Sequence, residues 1–304
     1  MFEKAKEALN SVGLPVTDNR NDIQAKEFSA GGHYGLEISS MNNFSIIEKA
    51  LKLSDDYDLN VTRFIECRGI MRLPDEEIRD MAQICQDRKK GLVMSIGPRA
   101  SNDIGAFSYS ENGKRVGYRN RGIDGLTYAL EEVYRGVELG ITGFLIYDEG
   151  LLYVLNKMRN DGRIPQYVQF KYSVHASCCN PASAKLLTEN GCDTINLTPS
   201  MSIDMIASFR KAVSIPFDVF SDTAKAAGGF IRTYEIPEII RVAAPLFIKC
   251  GPVSQPTQNH LPSDVELLER IKQTRNVYEH INRYYPEAKL VNVNEPSICI
   301  PNYR

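Results

Sequence analysis

Glu37, Glu66, Arg99, Asp148, Lys171, His175, Asn196, Asp218 and Lys249 are the residues of this 304-residue chain best suited to chemistry, and each stands in or just after a short apolar run. Their types admit three kinds of reaction. A lysine desolvated at a strand end has a lowered pKa and attacks carbonyls. Lys171 and Lys249 both qualify, and the sequence does not choose between them. Glu37, Glu66 and Asp218 are carboxylates that, with His175, would hold a divalent metal ion with an open position. No compact ligand motif joins them. Asp148, His175 and Lys171 would supply general acid–base work near neutral pH. Taken singly, each has a plainer role: Glu66 or Asp218 caps a helix, and Lys171 forms half of a buried ion pair. As a set they say more, because charges converging at one end of a sheet must pair, bind metal or meet a substrate.

The elements that position them follow a regular rhythm. Gln169–Asn196 reads as strand, polar loop, helix and strand again. Lys171, Ser173 and His175 alternate with apolar neighbours, so they share a face while the strand runs straight. Asn180 is an N-cap followed by Pro181 at the first helical turn, and Gly191 suits the helix end. Further strands are expected over 34–38, 61–66, 92–96, 143–147, 216–220 and 246–249, with helices between them. Eight strand–helix alternations, with no Gly-x-Gly-x-x-Gly after the first strand, predict an α/β fold: a closed (β/α)8 TIM-like barrel. No linker divides the chain, so residues 1–304 read as a single domain. Residues 1–33 form an N-terminal helix and connection, and 285–304 a C-terminal tail. Glu37, Asp148, His175, Asp218 and Lys249 are then expected on one rim, the carboxyl end where barrels place their chemistry.

A long insertion after strand three, 97–121, exceeds an ordinary βα loop and reads as a flap over the mouth. Its arginines (Arg99, Arg115, Arg119, Arg121) suit an anionic ligand. Arg99 and Asn196 are expected to bind substrate. Gly228 and Gly229 after strand seven, with Gly251 after strand eight and Arg232 nearby, match where barrels cradle phosphate with backbone N–H groups.

The runs Asp148-Glu-Gly-Leu-Leu, Lys171-Tyr-Ser-Val-His with Asn180-Pro-Ala-Ser, and Gly229-Phe-Ile-Arg with Pro237-Glu-Ile-Ile and Lys249 resemble the barrel of peptidase family U32, the collagenase-like peptidases. The resemblance covers most of residues 34–250. It implies a TIM-like barrel and a peptidase activity. The grouping also holds RNA-modification and quinone-hydroxylation proteins, some carrying an iron–sulfur cluster on four cysteines. The clustered C-terminal cysteines and the extra C-terminal domain of that family have no counterpart here, so an iron–sulfur cluster is not expected.

Composition narrows the rest. A net charge of −2 offers no electrostatic argument for nucleic acid or a membrane surface. Hydrophobic content of 43% supports a large core, and no apolar run approaches a membrane span. The opening Met-Phe-Glu-Lys-Ala-Lys-Glu is an acid-bearing amphipathic helix rather than a signal peptide. The 7 cysteines lack zinc-ribbon spacing and read as reduced thiols of a cytoplasmic protein. The expected partner is a small polar, anionic molecule or a short peptide, with a homo-oligomer left open. The readings are a U32-like hydrolase, a Schiff-base lyase or aldolase using Lys249 or Lys171, and a non-catalytic barrel subunit of an assembly.

Overall fold

The computed structural model describes residues 2–99, 106–257 and 260–303. Eight parallel strands close in sequence order into a barrel: β1 (Tyr34–Ser39), β2 (Arg63–Ile65), β3 (Gly91–Ser95), β4 (Gly143–Ile146), β5 (Gln169–Tyr172), β6 (Thr194–Asn196), β7 (Phe217–Phe220) and β8 (Leu246–Cys250). The helices are α1 (Glu3–Ser11), α2 (Phe44–Asp56), α3 (Asp75–Asp87), α4 (Gly122–Glu138), α5 (Glu149–Asn160), α6 (Pro181–Glu189), α7 (Ile203–Ala212), α8 (Ile236–Ala243) and α9 (Asp264–Tyr284). Local sequence starts several of them. Asn43, Asp148, Asn180 and Ser202 each accept a backbone N–H in the first turn, and Ser263 with Glu266 forms a capping box.

The main apolar core lies outside the sheet. Leu36, Phe64, Met94, Phe144, Phe170, Ile195, Phe217 and Ile248 point outward and pack with Ile47, Met81, Val133, Leu152, Leu187, Ile206, Ile240 and Ile271 of the surrounding helices. Each such side chain, fully buried, contributes about 1.5–3 kcal/mol. That shell leaves the barrel interior free to be polar.

Strand register sorts the interior into layers drawn alternately from odd and even strands. Arg63, Gly143, Thr194 and Phe247 form a lower layer. Glu37, Val93, Lys171 and Asp218 form the middle one. Ile65, Leu145, Asn196 and Lys249 lie above it, toward the carboxyl end, and Ser39, Ser95, Ser173 and Phe220 stand above those.

The expected C-terminal tail closes the barrel's floor. Val291 N–H donates to Tyr34 O at 2.7 Å, Leu92 N–H to Cys299 O at 3.0 Å, and Asn302 N–H to Gly140 O at 2.8 Å. Glycines make the space: a Cβ on Gly91 would come within 1.8 Å of Ile298 O, and one on Gly143 within 2.5 Å of Cys299 Cβ.

Of the expected flap, residues 100–105 and the side chain of Arg115 lie outside the described residues. The remainder forms short 3-10 turns at Ala106–Tyr109 and Gly113–Val116, then brings Tyr118 over the mouth.

Candidate active site

Arg63, Glu37, Lys171, Asp218 and Lys249 form one ionic cluster inside the barrel, each no more than 3% exposed. Arg63 Nε donates to Glu37 Oε2 at 2.7 Å, and its terminal amino groups donate to Asp218 Oδ1 and, at 2.7 Å, to Ser297 O of the tail. Its guanidinium lies 3.6 Å over the Phe247 ring. Lys171 Nζ donates to Glu37 Oε2 and Asp218 Oδ1, both at 2.6 Å. Lys249 Nζ sits 3.2 Å from Glu37 Oε1.

Three cations meet two carboxylates, and the excess positive charge has consequences for both. Burial pushes Glu37 up, but Lys171, Arg63 and Lys249 together hold its carboxyl well below the usual carboxylate range. Lys171 moves the other way. Burial and the neighbouring Arg63 lower its ammonium to about 8, against the opposing pull of Asp218 and Glu37. A lysine at that value exchanges a proton near neutral pH.

Several expected roles are corrected by these contacts. Glu37, Asp148, His175, Asp218 and Lys249 do not share one rim. Glu37 and Asp218 lie at mid-depth because their strands continue two residues past them. Asp148 and His175 stand at the carboxyl end, and Lys249 lies between. Lys171 and Asp148, expected in one acid–base pocket with His175, each have partners of their own. Lys171 is held by Glu37 and Asp218, while Asp148 Oδ1 accepts Leu151 N–H at 3.0 Å as the N-cap of α5. The chain bends after Tyr172 into a 3-10 turn over Val174–Ala176, which ends the parity that would have kept His175 above Lys171.

The metal set does not assemble either. Glu66 lies on the opposite parity from Arg63 and Ile65, and its carboxylate turns back to accept N–H groups from Arg68 (2.5 Å), Gly69 (2.9 Å) and Ser95 (3.3 Å). Burial raises its pKa against those hydrogen bonds. Glu37 and Asp218 face three cations, which would repel a fourth. Among the described residues no group of His, Cys, Asp and Glu is arranged to hold a metal ion.

The expected phosphate cradle is also taken up internally. Gly228 N–H donates to Lys225 O and Gly229 N–H to Ala224 O. Arg232 donates to Met201 O at 2.9 Å and pairs with Glu235, so it ties the loops after β6 and β7 together.

The mouth is built from the flap and the ends of β3, β4 and β5. Tyr118 stacks on His175 with ring centroids 4.2 Å apart and planes within 3°, and on Tyr147 at 5.3 Å. The Arg99 guanidinium lies 4.8 Å from the Tyr147 ring and 5.5 Å from that of Tyr118. Arg99 donates to Arg68 O at 2.8 Å, yet its buried Nε has no partner among the described residues. Asn196, buried in the upper layer, likewise has an unpartnered Oδ1. Arg63, Tyr118 and Tyr147 were absent from the sequence candidates. Arg63 had a readable signal, an arginine inside an otherwise apolar strand. The two tyrosines had none short of tertiary contact.

No family model matches the chain, and no curated protein matches it. Solved structures do. A native KDPGal structure superposes with a TM-score of 0.50 and 8% identity, over 83% of this chain and 95% of that one. The YdjI aldolase from Escherichia coli K12 gives 0.46 and 13%, over 83% and 91%. The U32 peptidase Mk0906 gives 0.43 and 15%, over 74% and 96%. At these identities the likeness is one of fold alone, a (β/α)8 barrel.

Proposed function

We propose that this barrel is an enzyme that forms an imine between Lys249 and the carbonyl of a small anionic substrate. The observation that carries this reading is the different placement of the two lysines. Lys171 is locked between two carboxylates at 2.6 Å in the middle layer. Lys249 lies one layer nearer the mouth and meets one carboxylate oxygen at 3.2 Å. Glu37 touches Lys249 through Oε1 and Lys171 through Oε2. With Lys171 in its neutral form, a proton released by Lys249 on attack has a path across Glu37 to Lys171. It returns to the carbinolamine hydroxyl, which leaves as water as the C=N bond forms. The excess positive charge of the cluster and the unpartnered Arg99 Nε favour a carboxylate-bearing substrate.

Borohydride reduction in the presence of 2-oxo acids tests this reading. The expected result is a stable secondary amine at Lys249, seen by peptide mass and absent in Lys249→Met. Labelling that persists in Lys249→Met, or none at all, rejects it. The rival is hydrolysis of short peptides, the activity implied by the family resemblance, and its support is the place of His175 at the mouth. Peptide turnover lost in His175→Ala and kept in Lys249→Met would favour that rival. A barrel with neither activity would instead serve as a non-catalytic subunit.

A further inference from the structure

The barrel interior from its middle layer upward is divided into two chemically different halves. Ile65, Val93 and Leu145, with Cys67 and Tyr147, make an apolar wall along β2, β3 and β4. Across from it, β6, β7, β8 and β1 present Asn196, Asp218, Lys249, Glu37 and Ser39. Among the described residues, four oxygens on that side are buried without a hydrogen-bond partner: Asn196 Oδ1, Asp218 Oδ2, Glu37 Oε1 and Ser39 Oγ. Glu37 Oε1 has only its ion pair with Lys249. Asn196 is 1% exposed and Asp218 and Glu37 are 0% exposed, so solvent does not satisfy them from outside. Each buried polar group left unpaired costs about 1–3 kcal/mol. Folded proteins retain few of them, and those retained call for an explanation.

All four are acceptors, and only Ser39 can also donate. The donors of this wall, Lys249 Nζ and the Asn196 amide among them, leave these four atoms without a hydrogen bond. A simple oxo acid brings no donor: its carbonyl and carboxylate are themselves acceptors. We infer that the site takes a hydroxylated small acid, its carbon face against Ile65 and Leu145 and its hydroxyls donating to Asn196 Oδ1 and Asp218 Oδ2. This deepens the imine reading by naming the substrate class as hydroxy-oxo acids, with Asn196 as the residue that selects for the hydroxyl.

Discrimination by a buried hydrogen-bonding group is large, because the analogue without the hydroxyl leaves the protein group unpaired. Calorimetry on the full chain with glycerate and with propionate isolates this recognition. Neither probe has a carbonyl, so neither forms an imine. Glycerate is expected to bind at least tenfold more tightly than propionate. Asn196→Leu should bring glycerate down to the level of propionate and leave propionate unchanged. Asn196→Asp, which keeps an acceptor, should retain the preference. Equal binding of the two acids, or no binding of either, overturns the inference without recourse to any variant. Selective glycerate binding together with failed borohydride trapping would remove the lysine chemistry and leave the hydroxyl recognition standing.

Discussion

Arg63 is the residue on which the interior charges depend. It reaches both carboxylates of the cluster and a carbonyl of the tail from a position with no solvent exposure. Removing one partner from a buried ionic group costs about 3–5 kcal/mol, because the charges left behind lose their compensation. Arg63→Met should therefore lower the unfolding free energy by about 3 kcal/mol in urea titration; a change below about 1 kcal/mol would contradict the role given to it. Lys171 makes a different prediction. Its folded pKa of about 8 lies below the ordinary lysine value of 10.5. Between those values the unfolded chain holds the proton and the folded chain does not. On this group's account stability rises with pH through that window and is flat below it. Comparing wild type with Lys171→Met between pH 7 and 10 should show the rise only in the wild type, and reductive methylation of Lys171 should accelerate through about pH 8. Glu37 has the same sign in a more acidic window. Its lowered pKa supplies stability above the ordinary carboxylate range, and that stability is lost as acid protonates it.

At the scale of elements, the flap and the tail close opposite ends of one barrel. The flap is held at the mouth by the stack of Tyr118 on His175 and Tyr147 and by Arg119, which pairs with Glu149. Tyr118→Ala removes that cover without touching the ionic cluster. It should speed the chemical modification of Lys249 several-fold with little change in thermal stability, and an unchanged rate would mean the stack does not govern access. The tail's fit depends on Gly91, where any side chain would collide with Ile298 O. Overpacking costs typically 1–3 kcal/mol. Gly91→Val should reach about 3 kcal/mol, because its neighbour is backbone and cannot rotate away, and should expose the tail to proteolysis. Equal resistance to protease in the two proteins would refute it.

For the molecule as a whole, the apolar shell between sheet and helices provides the stability that lets charges occupy the centre. The tail is part of that arrangement, since it carries Ser297 O to Arg63 and seals Phe28 and Phe247 with Ile298. Truncation after Lys289 should leave a folded but loosened barrel. We expect a melting temperature lower by at least about 5 °C, since each kcal/mol moves a chain of this size by a few degrees, and faster exchange of the Leu92 amide bonded to Cys299 O. An unaltered melting curve would show the floor to be ornamental.

Periodicity and end signals were enough to read the strands, the helix start at Asn180, and the inward direction of Lys171. These are local: alternation assigns a face, and a capping side chain bonds within its own first turn. Depth and partnership were not local. Glu37, Asp218 and Lys249 each end near a strand terminus in sequence, yet the tilt and stagger of a closed barrel set them at different heights. Glu66 turned away from the interior because one residue of parity reverses a side chain's face. The amides of Gly228 and Gly229 were taken by their own loop, a matter of turn geometry that composition does not record. Arg63 became the hub, and Tyr118 met His175 across a distance in sequence that only the folded chain closes. The sequence by itself determined which residue types line a barrel; tertiary structure decided which of them touch, because a charge's role depends on neighbours brought from other strands.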